Sequence, residues 1–239
     1  MANAIQQQTT KIDTSGIRLI GDLALPAGSR QLVVFVHGSG SSRLSPRNTY
    51  VAEALQEAGL GTLLFDLLTP EEEHAEHLTR HLRFDIALLS KRVTATLGWL
   101  QRKPELAETS IGLFGASTGA AAALVAAAQL PDVVSAVVSR GGRPDLADAA
   151  LEHVQASTLL IVGGDDREVL RLNRAALARL HSPRALHVVE HAGHLFEEPG
   201  ALDDVVRVAR QWFVDNLVAR PRAWQVGPAA APRSKRRAP

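Results

Sequence analysis

Short apolar runs alternate with segments of helical period along nearly the whole chain, a pattern that calls for a mostly parallel sheet with helices on both faces. Residues 17–25 alternate apolar and polar side chains and are expected to pair with residues 11–15 as an opening hairpin. Residues 32–36 form a buried strand that runs into His37-Gly38-Ser39-Gly40. Ser45-Pro46 starts a helix through Ala58, and Gly59 stops it as a C-cap would. A strand over 61–68, a polar loop over 69–83 and a long helix over 84–101 follow. The remaining strands fall at 110–114, 133–138, 158–162 and 185–189. Each is followed by a helix, at 118–129, 146–154, 168–180 and 202–217. That makes about eight strands and six helices in one α/β domain over 12–218, with no room for a large lid. A polar segment, 1–11, precedes it.

Composition narrows the function classes. Of 239 residues, 46% are hydrophobic and 21% charged, as in an ordinary globular protein. The absence of cysteine excludes disulfides, thiolate–zinc sites and a cysteine nucleophile, and fits a reducing cytoplasm, where we expect the protein to reside. No apolar run approaches the roughly 18 residues of a membrane span. Six of the 26 basic residues lie beyond Ala219, leaving 20 basic against 25 acidic residues in the body. An acidic body gives no support to nucleic-acid binding. The tail, 219–239, rich in Pro, Ala and Arg, is expected to be a disordered, solvated appendage. No sequence feature sets an oligomeric state.

Gly115-Ala116-Ser117-Thr118-Gly119 matches G-x-S-x-G and joins an apolar strand to a helix of small residues. A serine on so sharp a turn is exposed, and the helix N-terminus behind it favours developing negative charge. The serine needs a base, and the base a carboxylate to orient it. Both follow in the chain order this architecture uses, Ser…Asp…His. The strand at 158–162 ends in Gly163-Gly164-Asp165-Asp166, and the last strand ends in Glu190-His191-Ala192-Gly193-His194. Either aspartate can serve. Of the histidines, His194 is favoured, because it follows Gly193 and precedes the apolar anchor Leu195-Phe196. The backbone N–H groups of Ser39 and Thr118 are the expected oxyanion-hole donors. His37, which precedes that turn, is expected to support the loop.

These residues resemble the α/β-hydrolase superfamily, and more narrowly its dienelactone hydrolase-like branch. Besides the elbow, the resemblance is carried by His37-Gly38-Ser39-Gly40-Ser41-Ser42-Arg43, Arg83-Phe84-Asp85, Ser139-Arg140-Gly141-Gly142-Arg143-Pro144-Asp145, Gly163–Asp166 and Gly193-His194-Leu195-Phe196. It spans roughly residues 12–218. It implies an α/β-hydrolase fold, Ser117 as nucleophile, Asp166 as acid, His194 as base and no cofactor. True dienelactone hydrolases are known for a cysteine nucleophile. Ser117 in its place implies serine-esterase chemistry on small-molecule esters or lactones. Proteins resembling this chain are often bacterial, and some are joined to a phosphoribosyltransferase domain, which is not expected within these 239 residues.

Other residues carry weaker expectations. Arg140 and Arg143 follow a strand end and either hold an anionic substrate group or pair with Asp145 or Asp148. Leu67, Leu68 and Phe196 are expected to line a shallow acyl pocket. His74, His77 and His81 have a spacing that on a helix shares one face. Set among Glu71, Glu72, Glu73 and Glu76 in a polar loop, they read as a solvated cover over the site, and no metal is expected.

Overall fold

The computed structural model describes residues 4–217 except 15 and 107, and all side chains among them but that of His77. The tail expected at 219–239 lies outside these residues. Eight strands form one sheet: β1 (Ile5–Thr14), β2 (Ile17–Pro26), β3 (Gln31–Val36), β4 (Gly61–Phe65), β5 (Ser110–Ala116), β6 (Val134–Arg140), β7 (Ser157–Gly163) and β8 (Arg184–Val189). Their order is β1-β2-β4-β3-β5-β6-β7-β8, with β1/β2 and β2/β4 antiparallel and the rest parallel. The α-helices are α1 (Pro46–Glu57), α2 (Pro70–Thr79), α3 (Ile86–Gln101), α4 (Thr118–Gln129), α5 (Arg167–Arg179) and α6 (Ala201–Asn216). This is the α/β-hydrolase architecture, without a large extra domain among the described residues.

The two-residue period of the strands builds two cores. Along β3, Val33 and Phe35 face α1 and α6, where Phe114, Val138, Ile161 and Phe213 join them. Leu32, Val34 and Val36 face the other way, against α3, α4 and α5. Each fully buried side chain of this size contributes about 1.5–3 kcal/mol. Six parallel strands, β3 to β8, lie between two such layers and bring their C-terminal ends to one edge, and every candidate residue stands at the end of one of these strands or in the segment that follows it.

Four elements depart from expectation. β1 begins at Ile5, well before residue 11, because an edge strand pairs by backbone bonds to β2 while its side chains stay exposed through Thr9. β4 ends at Phe65 and not at 68. Asp66 leaves the sheet to accept hydrogen bonds from the Arg43 backbone N–H (2.8 Å) and Nη1 (2.9 Å). The segment read as a loop over 69–83 contains α2 and a 3₁₀ turn, Leu82–Phe84. Its signal was a capping box: Thr69 and Glu72 bond each other's backbone N–H across Pro70. Conversely, the helix expected at 146–154 is a 3₁₀ segment, Pro144–His153, broken at Asp148, whose φ of 43° no helix accommodates.

Candidate active site

Ser117 sits between β5 and α4 with φ 49° and ψ −122°, a conformation rare for a residue with a side chain. Backbone bonds clamp it there. Its N–H donates to Arg140 C=O at 3.2 Å, and its C=O accepts from Ala120 N–H (3.1 Å) and Arg143 N–H (3.1 Å). The flanking glycines answer to space. A Cβ on Gly115 would stand 2.5 Å from Ala120 Cα, and one on Gly119 2.3 Å from the Val36 and His37 carbonyl oxygens. Thr118 opens α4, so its backbone N–H has no intrahelical acceptor.

His194 and Asp166 meet across the β7 and β8 loops, with Nδ1 2.7 Å from Asp166 Oδ2. That bond commits Nδ1 and leaves Nε2 as the ring nitrogen available toward the edge where Ser117 stands. The ring lies against Gly141, where an added Cβ would be 3.6 Å from His194 Cε1. Gly141 follows the residue whose carbonyl holds the Ser117 N–H. The loop is fixed by Glu198, which accepts the Gly193 N–H at 2.9 Å. Asp165 is exposed and uses its backbone N–H on Ala192 C=O, while His191 is exposed with φ 59°. Of the four candidates, only Asp166 and His194 bond each other.

The loop after β3 is held from three sides. His37 is buried, with Nδ1 3.0 Å from Gly38 C=O and Nε2 accepting the Leu67 N–H at 3.1 Å. Burial pushes its pKa down, so the ring is neutral and works as a brace. Ser39 Oγ donates to Arg83 C=O at 3.1 Å and lies 2.9 Å from Thr118 Oγ1. The Ser39 N–H, expected to be an oxyanion donor, instead donates to Thr118 Oγ1 at 3.1 Å. It becomes free for a substrate oxygen only when that hydroxyl turns away. Arg83 also pairs with the buried carboxylate of Glu76, which accepts the Leu82 N–H at 2.7 Å. Burial alone would raise Glu76, but the Arg83 and Leu82 bonds outweigh it and hold its pKa below the usual value. Together with Leu67, Leu68 and Glu73 these residues line a small cleft beside the loop.

Several expected lining residues are engaged elsewhere. Arg143 makes a two-pronged bond to Asp145 (2.9 and 2.8 Å), so its guanidinium is already paired. Phe196 is 2% exposed and packs in the α1/α6 core, which corrects its reading as an open pocket wall. Leu67 is 1% exposed and meets the cleft from beneath. His81 lies beyond the left-handed Arg80 that caps α2, so no single helical face runs from His74 to His81. Among the described residues no group of three or more His, Asp or Glu could hold a metal ion, and no helix is long and apolar enough to cross a membrane. Asn48, in the first turn of α1, accepts a hydrogen bond from Arg140 Nη2 at 3.4 Å, a contact that nothing in its local sequence pattern signals.

The profile of the Dienelactone hydrolase family matches residues 23–225. A crystal structure of a dienelactone hydrolase from Anabaena variabilis is 53% identical, covers 90% of this chain and 99% of its own, and has a TM-score of 0.88. This chain belongs to the dienelactone hydrolase family. Two Mycobacterium tuberculosis proteins, named provisionally as phosphoribosyl transferases, are 52% identical over 213 residues. That match covers 89% of this dienelactone hydrolase-family chain but 47% of theirs, so it spans about half the length of those relatives. A dienelactone hydrolase-like promiscuous phosphotriesterase from metagenomic libraries shares the fold, with 18% identity, a TM-score of 0.73 and coverage of 90% of this chain and 100% of its own.

Proposed function

We propose that the chain is a serine hydrolase that cleaves small carboxylic esters or lactones through an acyl-enzyme. The observation that carries this reading is the Ser117 elbow standing on the same sheet edge as the His194–Asp166 pair. His194 Nε2 takes the proton of Ser117 Oγ as that oxygen attacks the substrate carbonyl. The Thr118 N–H, at the N-terminus of α4, receives the developing oxyanion, joined by the Ser39 N–H once Thr118 Oγ1 releases it. Collapse of the tetrahedral intermediate breaks the C–O bond, and the imidazolium proton goes to the leaving alkoxide. Water, deprotonated by His194, then attacks the acyl-enzyme and releases the acid and Ser117. Asp166 holds the imidazole in the tautomer with hydrogen on Nδ1 and stabilises its charged form.

A thioesterase or amidase would use the same three residues, because the leaving group is read by the pocket. A scaffold that binds a ligand or partner without turnover is the non-enzymatic rival. The reading follows the site in this chain and not the transferase name of the M. tuberculosis relatives, whose other half lies outside the match. Steady-state hydrolysis of short 4-nitrophenyl esters by wild type and Ser117→Ala tests it. Turnover by wild type and its loss in the variant are expected. Equal turnover by both would remove Ser117 from the mechanism.

A further inference from the structure

Three hydrogen bonds link Thr118, Ser39 and Arg83 into one chain. The Ser39 N–H donates to Thr118 Oγ1 at 3.1 Å, and Ser39 Oγ donates its one proton to the Arg83 C=O at 3.1 Å. The 2.9 Å contact between the two hydroxyls must therefore carry the Thr118 proton to Ser39 Oγ. Thr118 is buried, so its hydroxyl is shielded from bulk water. Every donor in the chain is committed, and the Thr118 hydroxyl takes the Ser39 N–H that an oxyanion would use.

The far end of this chain lies in a weakly held segment. Between Pro70 and Asp85 the only buried side chain among the described residues is a charged one, Glu76, while Leu78 and Phe84 are exposed. Leu82 alone of its large apolar side chains packs against the core. The strap rests instead on polar contacts: Glu76 with Arg83 and the Leu82 N–H, Glu72 with Arg92 at 2.6 Å, and the Arg83 carbonyl with Ser39. A segment with so little buried apolar surface opens at low free-energy cost. The cleft beneath it, floored by Leu67, Leu68 and Leu89, has a volume of about 20 Å³. That is room for one water, so nothing the size of an acyl group enters while the strap is down.

We propose that Thr118 is a gating residue: in the resting enzyme its hydroxyl occupies the Ser39 donor, the strap holds it there through Ser39, and the second half of the oxyanion hole opens only during catalysis. The catalytic effect rests on the serine-hydrolase reading, but the latch itself does not. A neutral substrate carbonyl is no stronger an acceptor than the hydroxyl already in place. A developing oxyanion is, since a charge-assisted bond is about twice as strong. Breaking the latch adds to the barrier, so removing the hydroxyl speeds the reaction.

Three variants of the full chain and two readouts test the gate. Thr118→Ala removes the hydroxyl, Thr118→Ser restores it, and Ser39→Ala cuts the tie to Arg83 while keeping the backbone donor. In Thr118→Ala, kcat/KM for a short 4-nitrophenyl ester should rise about five- to tenfold, the equivalent of one net hydrogen bond, while the thermal midpoint falls. Thr118→Ser should give back most of that gain. A residue that merely braced the loop would lower activity and midpoint together. The second readout needs no turnover: exchange of the Ser39 amide hydrogen, followed by NMR, should be slow in wild type and at least tenfold faster in Thr118→Ala. Should that variant fail to fold, Ser39→Ala replaces it in both readouts, with faster exchange of the amide at position 39 and at least a twofold gain in kcat/KM. Equal or lower kcat/KM beside an active wild type, or unchanged exchange, would overturn the gate and leave the hydrolase reading intact. No turnover by any of these proteins would overturn the hydrolase reading; the latch would then stand if Thr118→Ala accelerates exchange and fall if it does not.

Discussion

At the scale of single residues, the site depends on groups whose partners are already fixed. Ser117 is held in its strained conformation by three backbone bonds, and His194 by one carboxylate. Asp166→Asn keeps the size of the side chain but replaces a charged acceptor with an amide that favours the wrong imidazole tautomer. We expect kcat on a short ester to fall by about 10³–10⁴ with little change in thermal midpoint, as loss of an orienting carboxylate does elsewhere. His37 offers a test in pH. Its pKa is lowered in the folded state, so the unfolded chain takes up the proton first. Stability from the neutral brace is complete above about pH 6.5 and declines below it by up to about 1.4 kcal/mol per pH unit. Urea unfolding between pH 7.5 and 5.5 should show this fall in wild type and a smaller one in His37→Gln, which keeps an acceptor for the Leu67 N–H. The buried carboxylate of Glu76, with its lowered pKa, loses its contribution only at more acidic pH.

At the scale of elements, the elbow and α2 carry the argument from packing to geometry. Gly119 lets α4 approach the end of β3 so closely that any Cβ would overlap two carbonyl oxygens. Gly119→Ala should cost about 1–3 kcal/mol or more by overpacking, read as a lowered thermal midpoint. The α2 segment is tied down by Glu76, which is 1% exposed and meets Arg83 and the Leu82 N–H. Glu76→Ala leaves both without an acceptor and should cost about 3 kcal/mol in urea unfolding. Limited proteolysis should then cut first within residues 69–85; unaltered proteolysis would mean that the pair does not hold the segment. The chain showed its strands and most helices plainly because alternation and apolar runs report local periodicity. It hid α2 because only the Thr69/Glu72 capping box marks a helix made of Glu and His. It hid the early start of β1 because an exposed edge strand leaves no apolar trace in the sequence.

At the scale of the whole molecule, the parallel sheet does the positioning. Loops after β3, β5, β6, β7 and β8 come to one edge because those strands run in one direction. That is why the loops that carry Ser117, Asp166 and His194 were legible from the order of strands and helices. The choice between Asp165 and Asp166 was not, since adjacent residues differ only in which way the loop turns them. Nor was the bond from the Ser39 N–H to Thr118 Oγ1, or the isolation of Arg140 between Asn48 and Phe196. Both depend on contacts between residues distant in sequence. The central claim is that this edge activates Ser117, and intact-mass analysis after exposure to a fluorophosphonate tests it most directly. The account predicts one adduct on wild type and none on Ser117→Ala. An unmodified, folded wild-type protein, or an adduct that persists in the variant, would contradict it.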